Sequence, residues 1–556
     1  MIDFRSEENI DFIVQYNPAI RQLIRNTPYI QLCKVLEGQY AIIYVPKVNI
    51  PDFFRLIDGN LLSFIPPIQG LLGTVDLEAS GILAVQNQPY LNLKGQGILL
   101  GFVDTGIDYT KEAFRYADGS TRIVSIWDQT IDGAPPTDYC YGAEYTGDDI
   151  NAALHSEDPY SIVPHRDDVG HGTFLASVAG GREGEDVIGA APFAELLIVK
   201  LAAAKQFYRD YYLIPSFQEN AYSASDVMMG LDYLVNKAAE LRKPIAICLG
   251  VGSNFNGHDG YALYERFISD LALTRDVFVA IAAGNESSAR HHTMDAIAEN
   301  ESADIEIYSG EKNNGFMMLI LTQNLNRMSV SVTSPLGETV NRIPLEPSFT
   351  KETRLRLENT IITVEYYYPL PTTGSQITFV KFKDPTPGIW IVTVYGDYIL
   401  NGEFHAWLPV TGLVDPDTVF LSPDPYYTVT GPSTAFNATA CGAYSAANQS
   451  LYVSSSWGPG SVPPQCPDLV APGVNVTGVY PWGSGAMSGT SVAAAITAGA
   501  GALMLQWGVQ NNISLNSVNI RAYLTQGCTR RPELDYPNYQ WGYGELNLIH
   551  TFELMR

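Results

Sequence analysis

The spacing of apolar and polar positions divides the chain into four stretches. In residues 1–80, Pro18 to Arg25 and Pro51 to Ile57 carry helical spacing, while Tyr29 to Val35, Gln39 to Val45 and Leu71 to Leu77 read as strands, predicting a compact α+β unit. From Gly97 the pattern changes to continuous apolar runs, Ile98 to Val103, Ile245 to Leu249 and Val277 to Ala283, each leading into glycine or a polar residue. Such runs mark strands covered on both faces in a parallel sheet. Between about Ser302 and Phe420 the runs become short and alternating, among them Phe316 to Leu321, Met328 to Val332, Thr360 to Val364 and Trp390 to Val394, with Pro, Gly, Asn and Asp turns between them. That texture predicts a β-sandwich of jelly-roll type inserted into the larger domain. Finally, the Ala/Gly-rich run Ile496 to Trp507 predicts a tightly packed helix with Ser491 at or beside its first turn. The reading is an α/β fold with units at 1–80, 81–300, 301–425 and 426–556, the second and last forming one domain around the insertion.

Composition narrows the function classes. At 556 residues and 46% apolar content the chain is long enough to bury cores in two or three units. A net charge of -26 argues against nucleic acid and anionic membrane surfaces as partners, because both select Lys/Arg clusters. The Ile496 to Trp507 run is too short and too rich in glycine for a membrane span. Met1 to Glu8 places acids where a secretory signal is basic, so Sec export is not expected and synthesis in the cytoplasm is. Six cysteines are scattered without a CxxC pair, which predicts reduced, mostly buried thiols. Neither His291-His292 nor His258-Asp259 has the ligand number or spacing that zinc needs.

Three stretches carry candidate chemistry. Asp104-Thr105-Gly106-Ile107-Asp108 follows an apolar strand, His171 lies between glycines at a predicted helix start, and Ser491 stands in Met487-Ser488-Gly489-Thr490-Ser491 before the packed helix. Singly, each has a structural reading: a turn begun by Asp104, a structural histidine, a helix-capping serine. Together, in the order Asp, His, Ser, they supply a nucleophile, its base and the carboxylate that orients the base.

The DTGID, GHGT and SGTS segments resemble those of subtilisin-like serine proteases, in that family's chain order. The resemblance implies a three-layer parallel-sheet protease in which Asp104 orients His171, His171 acts as general base and acid, and Ser491 attacks the peptide carbonyl. It implies that Asn285, after the strand ending Ala282-Ala283-Gly284, is the oxyanion-hole amide. By the same resemblance Leu249, Gly250, Val251 and Gly252, with Ala282, Ala283 and Gly284, bind an extended substrate peptide. Residues 1–80 then correspond to a prodomain that acts as a bound inhibitor, its tail cut between about Pro66 and Gln96. No cofactor is implied; structural calcium, common in subtilases, matches no carboxylate cluster here.

Val492 and Ala495 in place of the usual Met and Pro after the serine, Phe174 in place of a second histidine, the Ser125 to Thr130 segment and the inserted sandwich are similar to the clostridial spore germination proteases, the Csp family. That likeness implies a protein substrate, the precursor of a cortex-lytic peptidoglycan hydrolase, and deposition in the spore. Two alternatives stay open: a germination sensing or binding module whose triad serves only self-cleavage, and an intracellular subtilase unconnected with spores.

Overall fold

The computed structural model describes residues 4–57, 64–71, 78–182, 188–323, 325–347, 349–460 and 466–555. Its centre is an eight-stranded sheet in the order Leu469–Pro472, Thr439–Tyr444, Val277–Ala282, Ile245–Leu249, Leu99–Asp104, Glu195–Lys200, Ile123–Asp128, Ala143–Thr146. All neighbours are parallel except the last pair, which is antiparallel. Leu99–Asp104, Ile245–Leu249 and Val277–Ala282 are buried along their whole length. This explains why they read as unbroken apolar runs: helices cover both faces, so neither side alternates with water.

One face carries the helices His171–Gly180 and Thr490–Gln510, the other Ala224–Leu241 and Leu263–Leu271. Thr490–Gln510 is buried on nearly every side, and its small residues follow from that. A methyl on Gly501 would come 2.1 Å from the Phe278 ring and one on Gly499 2.3 Å from Ala190. Among the described residues it is the one helix long and apolar enough to cross a membrane, and 89% of that window is buried within the protein.

The N-terminal unit is a three-stranded antiparallel sheet, Asn9–Gln15, Tyr40–Pro46 and Gln31–Leu36 with Tyr40–Pro46 central, and two helices, Pro18–Asn26 and Ile50–Leu56. The strand Asn9–Gln15 had no counterpart in the sequence reading, because Asp11 interrupts its apolar pattern. That carboxylate is buried against the larger domain, 3.5 Å from Lys205 Nζ and hydrogen-bonded by the hydroxyls of Ser223 and Ser225. The contact continues where Tyr40 donates to Asp270 at 2.6 Å and packs on Phe267. A strand, Ile68–Leu71, follows; most of the strand expected at Leu71 to Leu77 lies outside the described residues.

The inserted unit is a sandwich of two antiparallel sheets. One runs His292–Ala296, Glu403–Trp407, Gly315–Thr322, Gln376–Lys383, Ile361–Tyr367, Phe349–Arg354; the other runs Thr339–Val340, Arg327–Thr333, Gly388–Tyr398, Ser302–Ser309, Val419–Phe420. Trp390, Phe316, Phe382 and their neighbours fill the space between. The sandwich begins at His292, ahead of residue 301, because the polar edge strand His292–Ala296 gains its place only by pairing with Glu403–Trp407.

The cysteines correct the sequence expectation. Cys33 of the N-terminal unit and Cys140 of the larger domain form a disulfide across 107 residues of sequence, while Cys248, Cys441, Cys466 and Cys528 are free and buried. Sequence spacing carries no information about a pair so far apart.

Candidate active site

Asp104, Gly250 and Asn285 all follow or end neighbouring parallel strands at their carboxyl ends, the edge where α/β sheets assemble functional sites. Against that edge two helices present their first turns. His171 is the first residue of His171–Gly180 and Ser491 the second of Thr490–Gln510. Gly489, just before the serine helix, has φ 150° and ψ -176°, a conformation nearly reserved for glycine. This sharp entry turns Ser491 toward the histidine.

The three side chains meet. His171 Nδ1–H donates to Asp104 Oδ1 at 2.8 Å and Oδ2 at 3.0 Å, and Ser491 Oγ–H donates to His171 Nε2 at 3.2 Å. An ionised carboxylate only accepts, so it places the proton on Nδ1 and leaves Nε2 as the base. Asp104, His171 and Ser491 are 2%, 6% and 0% exposed, so the set is shielded from water, which strengthens its electrostatics. Gly250 lies beneath: a methyl there would come 2.9 Å from Ser491 Cβ and 3.2 Å from His171 Cε1.

Asn285 is held by its oxygen. Its Oδ1 accepts the Thr490 backbone N–H at 3.0 Å and the Thr490 hydroxyl at 3.2 Å, and the same hydroxyl accepts the Gly284 N–H at 3.1 Å. With Oδ1 occupied, the amide presents Nδ2 as its donor beside Ser491, whose own N–H belongs to a helix first turn and has no intrahelical acceptor.

Of the expected substrate-binding residues, Val251 and Gly252 form a two-residue strand that pairs antiparallel with the chain's own Leu71 and Gly70. Ile68 and Gln69 pair on their other side with Ser223 and Tyr222. The segment before residue 72 therefore lies as a strand between two walls of a cleft, running toward Gly250. Leu249 buries its side chain in the core, and Ala283 is held in the sheet by Cys441 O and by Thr430 N–H. Ala282 is likewise enclosed. These three positions are enclosed within the central sheet and its core.

Sequence reading missed the second wall, Tyr222–Ser223, and a support behind the Asp104 loop. His165 Nδ1–H donates to Asp128 at 2.6 Å, and its Nε2 accepts the Ile107 N–H at 3.1 Å, with both side chains fully buried. Burial by itself raises the Asp128 carboxyl, but hydrogen bonds from His165 and Thr130 and the charge of Lys200 hold it below its ordinary 3.8. Asp167 performs a parallel service for the histidine helix, accepting the Gly170 and Thr173 N–H groups and the Thr173 hydroxyl. Asp128 stands in the Ser125 to Thr130 segment, but only the fold brings His165 to it. Among the described residues no group of three or more His, Cys, Asp or Glu is placed to hold a metal ion.

The sequence profile of the Subtilase family matches residues 95–340 and 421–544. Among solved structures, the CspB protease of Clostridium perfringens is 32% identical with a TM-score of 0.75, over 86% of this chain and 96% of that one. The prenylagaramide maturation protease PagA is 14% identical over 86% of this chain and 99% of its own, with a TM-score of 0.42. The epidermin leader peptide processing protease EpiP of Staphylococcus aureus is 12% identical over 99% of each, with a TM-score of 0.45. Likeness at the level of these last two carries no functional weight. No curated protein matches the chain. With the family profile covering more than half of the residues and the CspB protease similar over nearly its whole length, the chain belongs to the subtilase family of serine proteases.

Proposed function

We propose that Asp104, His171 and Ser491 are the catalytic triad of an endopeptidase that first cuts its own N-terminal unit free and then cleaves a protein substrate. The observation that carries this reading is the hydrogen-bond chain from Asp104 through His171 to Ser491, with the chain's own residues 70 and 71 paired to Val251 and Gly252 beside it. In the reaction His171 Nε2 takes the Ser491 proton as Oγ attacks the carbonyl carbon, and Asp104 stabilises the imidazolium that forms. The negative charge developing on the carbonyl oxygen meets Asn285 Nδ2 and the Ser491 N–H. The imidazolium then protonates the leaving amine, and water repeats the sequence to release the acyl group.

Because the Ile68–Leu71 strand runs toward Gly250, the bond cut in self-processing falls shortly after Leu71, inside the Pro66 to Gln96 window. A cut N-terminal unit left in place occupies the cleft as an inhibitor at high effective concentration. The Csp resemblance, with 32% identity to the CspB protease, supports the further reading that the protein is deposited in the spore and that the substrate is a cortex-lytic hydrolase precursor.

Intact mass under denaturing, reducing conditions tests the reading. Wild type is expected as two fragments cut after Leu71, and Ser491→Ala as one; two fragments from the variant, or an uncut wild type, would count against it. A second reading is favoured by the filled cleft: the triad acts once, and the protein then serves as a sensing or binding module. Cleavage of a hydrolase precursor in trans by wild type, absent with Ser491→Ala, decides for the enzyme.

A further inference from the structure

The residue that follows Asn285 is tied to the inserted sandwich. Glu286 is 1% exposed, and both its carboxylate oxygens are engaged: Oε2 accepts His291 Nδ1–H at 2.7 Å and Oε1 accepts the Thr411 backbone N–H at 2.9 Å. His291 stands one residue before the sandwich's first strand, His292–Ala296, and Thr411 in the loop between its strands Glu403–Trp407 and Val419–Phe420. The two sandwich segments also meet through the backbone, where Leu408 N–H donates to His291 O at 2.9 Å. One buried carboxylate of the catalytic domain thus holds both the entry to the sandwich and a loop from near its end.

The backbone on either side of Asn285 is fixed as well. Before it, Gly284 gives its N–H to the Thr490 hydroxyl at 3.1 Å, and its carbonyl accepts the Ser456 N–H at 2.9 Å. After it, Glu286 N–H donates to Ser456 Oγ at 3.0 Å, and Ser456 is wholly buried. The Glu286 side chain therefore carries the hold one step further, from the backbone beside Asn285 to the base of the sandwich. Removing that carboxylate would leave His291, 4% exposed, without its acceptor, and a buried donor without a partner is costly. The loop beside Asn285 and the base of the sandwich would then have to shift together.

We infer that Glu286 is a positioning residue for Asn285, and that through it the seating of the sandwich sets how well the oxyanion hole is formed. The inference rests on the reading of Asn285 Nδ2 as an oxyanion donor; Glu286 itself touches no reacting atom. Displacing Nδ2 weakens a hydrogen bond made only on the way to products, so the cost falls on kcat and leaves KM in place. A carboxylate that only anchored the sandwich would affect the melting temperature and not the turnover of the folded molecules.

A double-mutant cycle on the full chain, read by turnover of a peptide substrate and by thermal melting, tests this. Glu286→Ala is expected to lower kcat by about tenfold to 10² with KM near wild type. Glu286→Gln can accept from Thr411 and, with the His291 ring proton on Nε2, donate to His291, so it is expected to restore kcat to within about threefold of wild type. In an Asn285→Ala background the Glu286→Ala change is expected to cost less than about threefold, because the group it positions is gone. Equal losses in the two backgrounds, or a lowered melting temperature with kcat unchanged, would overturn the inference and leave the oxyanion reading intact; an unchanged kcat in Asn285→Ala alone would overturn both. Should Glu286→Ala not fold, His291→Ala, which empties one carboxylate oxygen only, takes its place in the same cycle with the same two outcomes.

Discussion

At the scale of single residues, the site depends on side chains whose own orientation is held by others. Asn285 is the clearest case, with Oδ1 fixed by Thr490 so that Nδ2 is presented as the donor. Asn285→Ala is expected to lower kcat by roughly 10² to 10³, with KM little changed, because an oxyanion exists only on the way to products. Turnover of a peptide substrate checks this. The His165–Asp128 pair works one step further back, since His165 bonds the Ile107 N–H and so steadies the loop that carries Asp104. His165→Ala is expected to reduce kcat by about tenfold to 10², the cost of small misplacement, while substrate affinity stays near wild type. An unchanged kcat would make the pair purely structural.

At the scale of elements, the Ile68–Leu71 strand and the Cys33–Cys140 disulfide bind the same unit to the same domain in two ways. The strand is joined by backbone hydrogen bonds and leads to the proposed cut, whereas the disulfide joins residues on either side of that cut. Self-processing alone therefore leaves both fragments covalently linked. On a denaturing gel the processed protein is expected to run as one species without reductant and as two with it; two species without reductant would show that the link is absent. The Val476–Tyr480 and Gly483–Met487 hairpin belongs to this scale too, packing Tyr480 onto Phe174 of the histidine helix at a ring distance of 4.8 Å. Phe174 thus has a packing partner that accounts for an aromatic residue in that place.

At the scale of the whole molecule, stability depends on a buried carboxyl. Glu265 is fully buried, and burial, then the charge of Asp259, pushes its pKa from 4.5 up to about 8. A carboxyl raised on folding contributes most while protonated in both states, below about pH 4.5, and loses that contribution as pH rises through about 8. The melting temperature of wild type is therefore expected to fall more steeply between roughly pH 5 and 8 than that of Glu265→Gln. The variant starts lower, because an amide cannot reproduce the bonds to Thr434 and the Ala262 N–H, but its slope is the flatter one. Equal slopes would mean another group titrates in that range.

Local pattern determined much of this protein. Unbroken apolar runs ending at Asp104, Leu249 and Ala282 follow from burial on both faces, and the alternation in Ser302–Ser309 and Gly388–Tyr398 from burial on one, while Gly315–Thr322 of the same sandwich is covered on both faces and reads as an unbroken run. Asp104, His171 and Ser491 were singled out by their order along the chain and their small-residue motifs, and the fold brings their side chains together, whereas Asn285 was named only through the family resemblance. What depends on approach between distant segments was not legible in the sequence. Asp11 reads as a break in a strand until Lys205 and two serines surround it. Cys33 and Cys140 read as scattered thiols until the N-terminal unit docks. The cleft's second wall at Tyr222–Ser223 and the His165 support have no local signal, because packing, not spacing along the chain, brings their parts together.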